Sequence, residues 1–130
     1  MDNLKDKCIS VAKGIFNELG SGFDEPIYQK AFEVELRLQN IKYENIKIIP
    51  IYYKGFNVGE AKLDLLVFDE NEKILVELKA IITVLSPKEE AQLRTYLKSL
   101  QVADGLLINF PQAGRKGVPD EPEIISVNKE

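Results

Sequence analysis

Two carboxylates and one lysine in a single stretch of the chain could together form a catalytic site. Asp64, Glu77 and Lys79 all fall within residues 62–79, KLDLLVFDENEKILVELK. Carboxylate oxygens are the ligands that Mg²⁺ and Mn²⁺ prefer in proteins. An ammonium group beside such an ion could hold a phosphate or an attacking water and stabilise developing charge. Asp…Glu-x-Lys on adjacent strands is therefore a compact set for cleaving a phosphodiester.

These three residues come together if the stretch folds as a β-hairpin. Two apolar runs, Leu63–Phe68 and Lys73–Lys79, flank a polar tip and predict two antiparallel strands. Symmetric folding about the tip pairs Asp64 with Glu77 and puts Lys79 on the same face. A slip of one residue would pair the wrong faces, so the alternation supports this register. The opposite face is predicted to carry Leu65, Val67, Ile74, Val76 and Leu78.

The predicted pairing of Asp64 with Glu77 is electrostatically unfavourable, which indicates a bound cation. Like charges directly across two strands destabilise a sheet, and these strands are apolar enough to be central. A divalent cation bound by Asp64 and Glu77 would remove the repulsion. The alternative is that Glu77 and Lys79 form an ordinary ion pair on a solvent-facing strand, because Glu-x-Lys often occurs there by chance.

Composition limits the chemistry that is available. The chain has 130 residues, one cysteine and no histidine. This excludes Ser-His-Asp and Cys-His catalysis, as well as zinc sites built on histidine or on several cysteines. The length and the 45% apolar content predict one globular domain over residues 1–130. The net charge of −4 weighs against a dedicated nucleic-acid binder, which is usually basic.

Nothing in the sequence predicts a membrane or secreted protein. No apolar run approaches the roughly 18 residues of a membrane span. The first ten residues lack the apolar core of a signal peptide. Because Cys8 is the only cysteine, no intrachain disulfide can form, and we expect a cytoplasmic protein with no membrane partner.

Three helices are predicted around the strands. Leu4–Leu19 carries an apolar stripe at helical spacing. The second helix begins after Asp24, which can cap it, and continues to about Asn40. The third begins with a capping box at Ser86 and runs to about Leu100. The apolar positions of the second helix are Ile27, Ala31, Val34 and Leu38. Those of the third are Ala91, Leu93, Leu97 and Leu100.

The remaining elements are predicted to be strands. Tyr43–Tyr53 is expected to form one strand that returns through a turn into the hairpin, giving three antiparallel strands in a row. After the third helix, Asp104-Gly105 predicts a turn into the short buried strand Leu106–Phe110. A last strand is expected at Glu123–Val127. The loop before it, expected to be flexible, contains Arg115 and Lys116.

The order of these elements, together with several short motifs, resembles the PD-(D/E)XK nuclease superfamily. Two helices, three antiparallel strands, a helix and a strand is the order expected of its core. Gly22–Tyr28, GFDEPIY, resembles the motif that names the GxxExxY family, small proteins usually placed in that superfamily. The similarity extends over most of the chain past residue 10. Further segments that carry it are residues 52–55, 59–60, 64–67, 76–80, 90–93 and 106–110.

This resemblance implies an α/β (or α+β) fold with a restriction-endonuclease-like core, a central mixed sheet of about five strands flanked by helices. It also implies that Asp64 and Glu77 bind Mg²⁺ or Mn²⁺ and that Lys79 is catalytic. Glu25 corresponds to an additional acid on the preceding helix that can complete the metal site. Taken alone, Glu25 is a first-turn acid that complements the helix dipole.

Gln92 and Tyr96 match a Gln-x-x-x-Tyr motif in the exonuclease-like branch of the superfamily. There the pair helps to orient the site and the nucleic-acid strand. Four residues apart on a helix, Gln92 and Tyr96 share a face, and taken alone they are a hydrogen-bonded pair at a solvent edge.

The function that follows is a metal-dependent nuclease acting on DNA or RNA, with DNA the more expected partner. The chain could act as a homodimer or with a partner protein. The alternative is a non-catalytic binding or regulatory module that keeps the nuclease fold and site residues. The acidic charge favours the alternative, and the complete acid–lysine set favours the enzyme.

Overall fold

The computed structural model describes residues 3–45, 49–61, 64–114 and 119–130. Within these ranges it contains three helices and seven strands. The helices are α1 (Leu4–Leu19), α2 (Glu25–Leu38) and α3 (Pro87–Leu100). The strands are β1 (Lys42–Asn45), β2 (Ile49–Tyr53), β3 (Phe56–Ala61), β4 (Leu65–Phe68), β5 (Lys73–Lys79), β6 (Asp104–Asn109) and β7 (Glu123–Asn128). Within these ranges no helix has the length and apolar character needed to cross a membrane.

The main sheet has five strands in the order β1-β4-β5-β6-β7, and β2 pairs with β3 in a second sheet. β5 and β6 are parallel, whereas the other neighbouring strands are antiparallel. A parallel pair needs a crossover connection, and α3 supplies it. The predicted α/β class with a mixed, five-stranded central sheet is therefore confirmed.

The central hairpin has the register that the sequence predicted. Leu66 pairs with Leu75 and Phe68 pairs with Lys73. The alternation also separates the two faces as expected. One face of β4 and β5 joins a core cluster with α1 and α2, through Leu65, Val67, Ile74, Val76 and Leu78. The other face joins a second cluster with α3, to which Leu75 belongs and against which Leu66 packs.

The single strand predicted over Tyr43–Tyr53 is divided between the two sheets. Its first part is β1, which pairs with β4, and its second part is β2, which pairs with β3. The pairing steps from Asn45↔Leu65 to Ile49↔Ala61, which is four residues along each strand (45 to 49, 65 to 61), so both ladders keep one register. The predicted run of three antiparallel strands is present in the main sheet as β1, β4 and β5. Residues 46–48 and 62–63, which these predictions included, lie outside the described residues.

The second helix buries a different face from the predicted one. Ile27 and Val34 are each 45% exposed and Leu38 is 72% exposed. Three other side chains of this helix are buried in the core instead: Tyr28, Phe32 and Leu36. Aromatic side chains bury the most apolar area, so the face that carries two of them packs inward.

The helix ends agree with the sequence in most respects. Asp24 occupies the N-cap position of α2, but its side chain makes no capping hydrogen bond, contrary to the prediction. The capping box of α3 is complete, with both Ser86 and Glu89 hydrogen bonds present. On α3, Leu93 and Leu97 are buried as predicted. Tyr96 is buried between them, whereas Ala91 is exposed.

The turn predicted at residues 104–105 is instead the beginning of β6. Gly105 lies directly beneath α3. A Cβ there would come within 3.2 Å of the Leu75 carbonyl oxygen and 3.3 Å of the side chains of Leu93 and Leu97. Any larger residue would therefore be crowded here, so glycine favours the close approach of α3 to the central strands. The last strand is confirmed. Arg115 and Lys116 lie outside the described residues.

Candidate active site

Asp64 and Glu77 are the two buried acidic side chains of the described residues, each only 6% exposed. Asp64 directly precedes β4, and continuing the hairpin register places it beside Glu77. Its Oδ2 accepts a hydrogen bond from the backbone N–H of Leu78 at 2.6 Å. This bond holds the Asp64 carboxylate against β5. The structure therefore brings the two predicted carboxylates to the same part of the sheet.

Among the described residues, no group hydrogen-bonds to one of the two carboxylate oxygens of Glu77. This oxygen, Oε2, is buried, and the other, Oε1, lies 3.9 Å from Lys79 Nζ. Burial raises the pKa of Glu77 to about 7; the Lys79 charge opposes this rise, while Asp64 and Glu89 add to it. Desolvation thus outweighs the attraction of the lysine. The site therefore holds a buried carboxylate whose charge Lys79 compensates only in part.

Lys79 stands at the edge of the site, at the end of β5. By strand alternation it shares the α3 side of the sheet with Glu77, and its side chain is 30% exposed. Glu89 in the first turn of α3 is also within electrostatic reach. Hydrogen bonds from the side chain and backbone of Ser86 chiefly lower the pKa of Glu89, and the Lys79 charge adds to this effect. The ammonium group therefore lies between the buried Glu77 carboxylate and the solvent.

The structure also brings Tyr96 to this side of the sheet. Burial raises the pKa of Tyr96, the nearby Glu77 charge raises it further, and a side-chain hydrogen bond with Gln92 opposes the rise. Gln92 itself is exposed. The predicted Gln92–Tyr96 pair is thus formed on α3, with Tyr96 the inner member and Gln92 the outer one.

Glu25 is placed differently from the other predicted site residues. It is the first residue of α2, which packs in the core cluster on the face of the sheet opposite α3. Among residues 3–45, 49–61, 64–114 and 119–130 no group of three or more acidic, cysteine or histidine side chains is arranged to hold a metal. A metal site completed by Glu25 stays a prediction.

The two carboxylates nevertheless fit a hard divalent ion. Mg²⁺ commonly takes one or two protein carboxylates and keeps several waters, so two carboxylates are a sufficient number of protein ligands for such an ion. Glu77 Oε2, which no donor in the described part of the chain hydrogen-bonds, would be one such ligand oxygen. Histidine-free, oxygen-only donors of this kind suit Mg²⁺ or Mn²⁺ rather than zinc.

The glycine and tyrosine of the Gly22–Tyr28 motif shape the entry to α2. Gly22 has a positive φ of 111° and its N–H donates to Gln112 Oε1 at 2.9 Å. The Tyr28 hydroxyl donates to the Gly20 carbonyl oxygen at 2.7 Å and accepts from Gln112 Nε2 at 3.1 Å. Its ring stacks on Phe110 with centroids 4.4 Å apart. These contacts set where α2 begins and therefore where Glu25 stands.

Two residues without a predicted role hold the connection between β5 and α3. Asn109 is fully buried beside Lys79 in the β5–β6 ladder, and its Oδ1 accepts from the Ile81 N–H at 2.9 Å. Its Nδ2 donates to Glu123 Oε1 at 2.8 Å, and Glu123 Oε2 accepts from the Leu85 N–H. A polar residue in the apolar run LLINF was the available sequence signal for Asn109. Nothing local pointed to Glu123.

Comparison with known proteins places this geometry in context. A family profile of the PD-(D/E)XK nuclease superfamily matches residues 2–120. Among solved structures, the crystal structure of SSO0001 is similar with a TM-score of 0.58 and 19% identity, over 80% of this chain and 50% of that chain. The chain thus spans half the length of that protein. Hjc of Archaeoglobus fulgidus, a Holliday junction resolvase, matches with a TM-score of 0.44 and 13% identity, over 79% of this chain and 94% of that chain. No match was found among curated proteins.

Proposed function

Because the chain belongs to the PD-(D/E)XK nuclease superfamily, we propose that it is a metal-dependent phosphodiester hydrolase acting on nucleic acid. Asp64, Glu77 and Lys79 are the residues proposed to carry the reaction. The observation that carries this proposal is the buried Glu77 oxygen that lacks a hydrogen-bond partner beside a second carboxylate. Within the superfamily, we assign the chain to the GxxExxY family on Gly22, Glu25 and Tyr28.

The electrostatics of the pair favour a bound cation. Burying a carboxylate that is only partly compensated destabilises the folded protein, and a second carboxylate nearby adds repulsion. The lysine 3.9 Å away does not remove this cost, because the pKa of Glu77 is still raised to about 7. An ion pair with a purely structural role is expected to bring the lysine close enough to offset the desolvation of the carboxylate. A divalent ion held by Asp64 and Glu77 would compensate both charges.

Each residue then has a distinct role in hydrolysis. Asp64 and Glu77 would hold Mg²⁺ or Mn²⁺, which when bound would supply an activated water and neutralise charge on the phosphate. Lys79 reaches solvent from the same side and would stabilise the negative charge that develops on the phosphate oxygens. Gln92 and Tyr96 on α3 would help to orient the site and the nucleic-acid strand, and Glu25 at the start of α2 would be the additional acid that completes the metal site.

The proposed substrate is a nucleic acid, DNA more than RNA. With a net charge of −4, the chain has little overall attraction for a polyanion. Binding would depend on the metal ion and on Lys79 more than on a broad basic surface. We therefore expect substrate engagement to require the metal and to weaken as salt rises.

The test is cleavage of single- and double-stranded DNA and RNA with Mg²⁺ or Mn²⁺. We expect degradation that EDTA abolishes and that Lys79→Ala lowers by about 10²- to 10³-fold, the usual loss for one transition-state donor. Since lysine is not a metal ligand, the Mn²⁺-dependent rise in melting temperature should remain in this variant. Lys73→Ala, at the exposed other end of β5, is the matched control and should keep full activity.

Equal activity in wild type and the Lys79→Ala variant would show a different site or a contaminant. Salt-dependent nucleic-acid binding without any cleavage would favour the non-catalytic module.

A further inference from the structure

α2 carries a second apolar stripe that the core does not use. Ile27, Ala31, Val34 and Leu38 repeat at helical spacing. Ala31 is partly buried and the other three are exposed. The buried side of the same helix is made by Tyr28, Phe32 and Leu36. A surface helix normally carries one apolar stripe, which faces the core. The second stripe is therefore available for a contact outside this chain.

The stripe borders a groove between α1 and α2. The groove has a volume of about 450 Å³, and its apolar lining includes Val11, Ile15 and Leu19 of α1. Gly14 lies in its wall, and a Cβ there would meet no atom within 4 Å. Glycine inside a helix is less stable than alanine, and packing within the described part of the chain does not require a glycine at this position. The groove has room for side chains of a neighbouring molecule.

The charges along the stripe differ between its two sides. In a heptad, Ile27 and Val34 take d positions, and Ala31 and Leu38 take a positions. Lys30 then takes a g position, and Glu35 takes the e position of the next heptad. The acidic side is reinforced by Glu18 of α1, which lines the groove together with Glu35. The basic side is continued by Arg37, which is exposed and also contacts the Tyr43 hydroxyl.

This charge pattern is self-complementary in one orientation only. When two copies of a helix pack in parallel, the g side of each meets the e side of the other, so Lys30 comes beside Glu35 of the second copy, twice per dimer. In an antiparallel pair like sides meet, and Lys30 would come beside Arg37. The parallel arrangement therefore pairs opposite charges and also joins the two apolar stripes.

We propose that this chain forms a two-fold symmetric homodimer through parallel packing of α2 against α2 of a second copy. Ile27, Val34 and Leu38 form its apolar seam, and Lys30 and Glu35 form its flanking ion pairs. α2 and α3 pack in clusters on opposite faces of the sheet. A dimer built through α2 consequently leaves the α3 side, with Asp64, Glu77 and Lys79, uncovered.

The contact is short, so the dimer is expected to be weak. α2 has 14 residues and provides two heptads of seam. Sedimentation equilibrium from about 1 µM to about 1 mM covers the affinity range of such small interfaces. We expect a monomer–dimer equilibrium in the wild type and at least tenfold weaker association for Leu38→Gln. Val58→Gln, a similarly exposed apolar position on β3, is the matched control and should associate like wild type.

Charge reversal tests the orientation. Lys30→Glu should raise the dimer dissociation constant roughly three- to tenfold, because two ion pairs become repulsive. Adding Glu35→Lys to that variant should restore association to about the wild-type value by re-forming both pairs with the charges exchanged. Since all these side chains lie on the helix surface, circular dichroism should show an unchanged fold.

Three outcomes would overturn the proposal. A monomer at every concentration would leave the stripe to a different partner. Association that Leu38→Gln does not weaken would place the interface elsewhere. Association that Lys30→Glu strengthens would show antiparallel packing, because the new carboxylate would then face Arg37. None of these measurements depends on metal or on nuclease activity, so the result is separate from the proposed function.

Discussion

The two faces of the central sheet differ in the polar groups that they bury. The face covered by α1 and α2 is packed with apolar side chains, and the hydroxyl of its buried Tyr28 hydrogen-bonds to the Gly20 carbonyl oxygen and to Gln112. The face covered by α3 has a smaller apolar cluster and carries Asp64, Glu77 and Asn109. Glu77 Oε2 on that face has no hydrogen-bond partner in the part of the chain that the structure describes. The face packed by α1 and α2 therefore stabilises the fold through apolar burial. The α3 face keeps buried negative charges, which a bound cation could neutralise.

The largest expected effect is on the apolar face. Phe32 is fully buried between α2 and the sheet. Phe32→Ala should lower the free energy of unfolding by about 3–5 kcal/mol, as expected for removing a buried aromatic ring. Val34→Ala on the exposed stripe of the same helix is the control and should stay within about 0.5 kcal/mol. Chemical denaturation of both variants measures the difference. A loss below about 1 kcal/mol for Phe32→Ala would break the comparison.

The second prediction concerns the pH dependence of the α3 face. Because the pKa of Glu77 is raised from 4.5 to about 7 in the folded state, the native protein binds more protons than the unfolded chain between these values. Metal-free stability should therefore fall as pH rises from about 4.5 to about 7, by as much as about 3 kcal/mol.

Glu77→Gln isolates this contribution, because it removes the titrating group while other acids remain. The wild-type and variant stabilities, measured in EDTA between pH 4.5 and pH 8, should diverge in the direction that favours the variant as pH rises. Parallel curves would show that Glu77 ionises normally and that the α3 face carries no charge penalty.

A smaller effect is expected from the second carboxylate. Asp64→Asn keeps an oxygen that can accept from the Leu78 N–H and removes one negative charge near Glu77. The metal-free variant should be more stable than the metal-free wild type by roughly 1 kcal/mol. Mn²⁺ should raise the melting temperature of the wild type with concentration, and the variant should lose most of that response. Destabilisation by Asp64→Asn, with no Mn²⁺ response in either protein, would refute the metal pair.

The smallest stability effect is expected at the outer edge of the α3 face. Gln92 is exposed, so Gln92→Ala should change stability by no more than about 0.5 kcal/mol. Because Gln92 hydrogen-bonds Tyr96 near Glu77, the proposed nuclease activity should nevertheless fall. Thr95→Ala, exposed on the same helix, is the control for both measurements. A large loss of melting temperature in Gln92→Ala would show a structural role instead.

The sequence alone determined what depends on local pattern. The alternation in residues 63–79 predicted the hairpin register and both of its faces, because a slip of one residue reverses every side chain. Ser86 and Glu89 predicted the start of α3, because a capping box is formed by neighbours in the chain. The resemblance of motifs and their order indicated the superfamily, and the positions of Asp64, Glu77 and Lys79 followed from strand alternation.

Only the tertiary structure decided what depends on competition or on distant neighbours. α2 has two apolar stripes, and packing against the sheet selected the one with Tyr28 and Phe32 while leaving Leu38 exposed. The division of the first long strand between two sheets is likewise a matter of pairing partners. Whether Glu77 Oε2 finds a hydrogen-bond partner depends on residues far from it in sequence. The hydrogen bond from Asn109 to Glu123 likewise joins two distant parts of the chain. Burial and hydrogen-bond satisfaction are properties of the assembled fold, so no local pattern could state them.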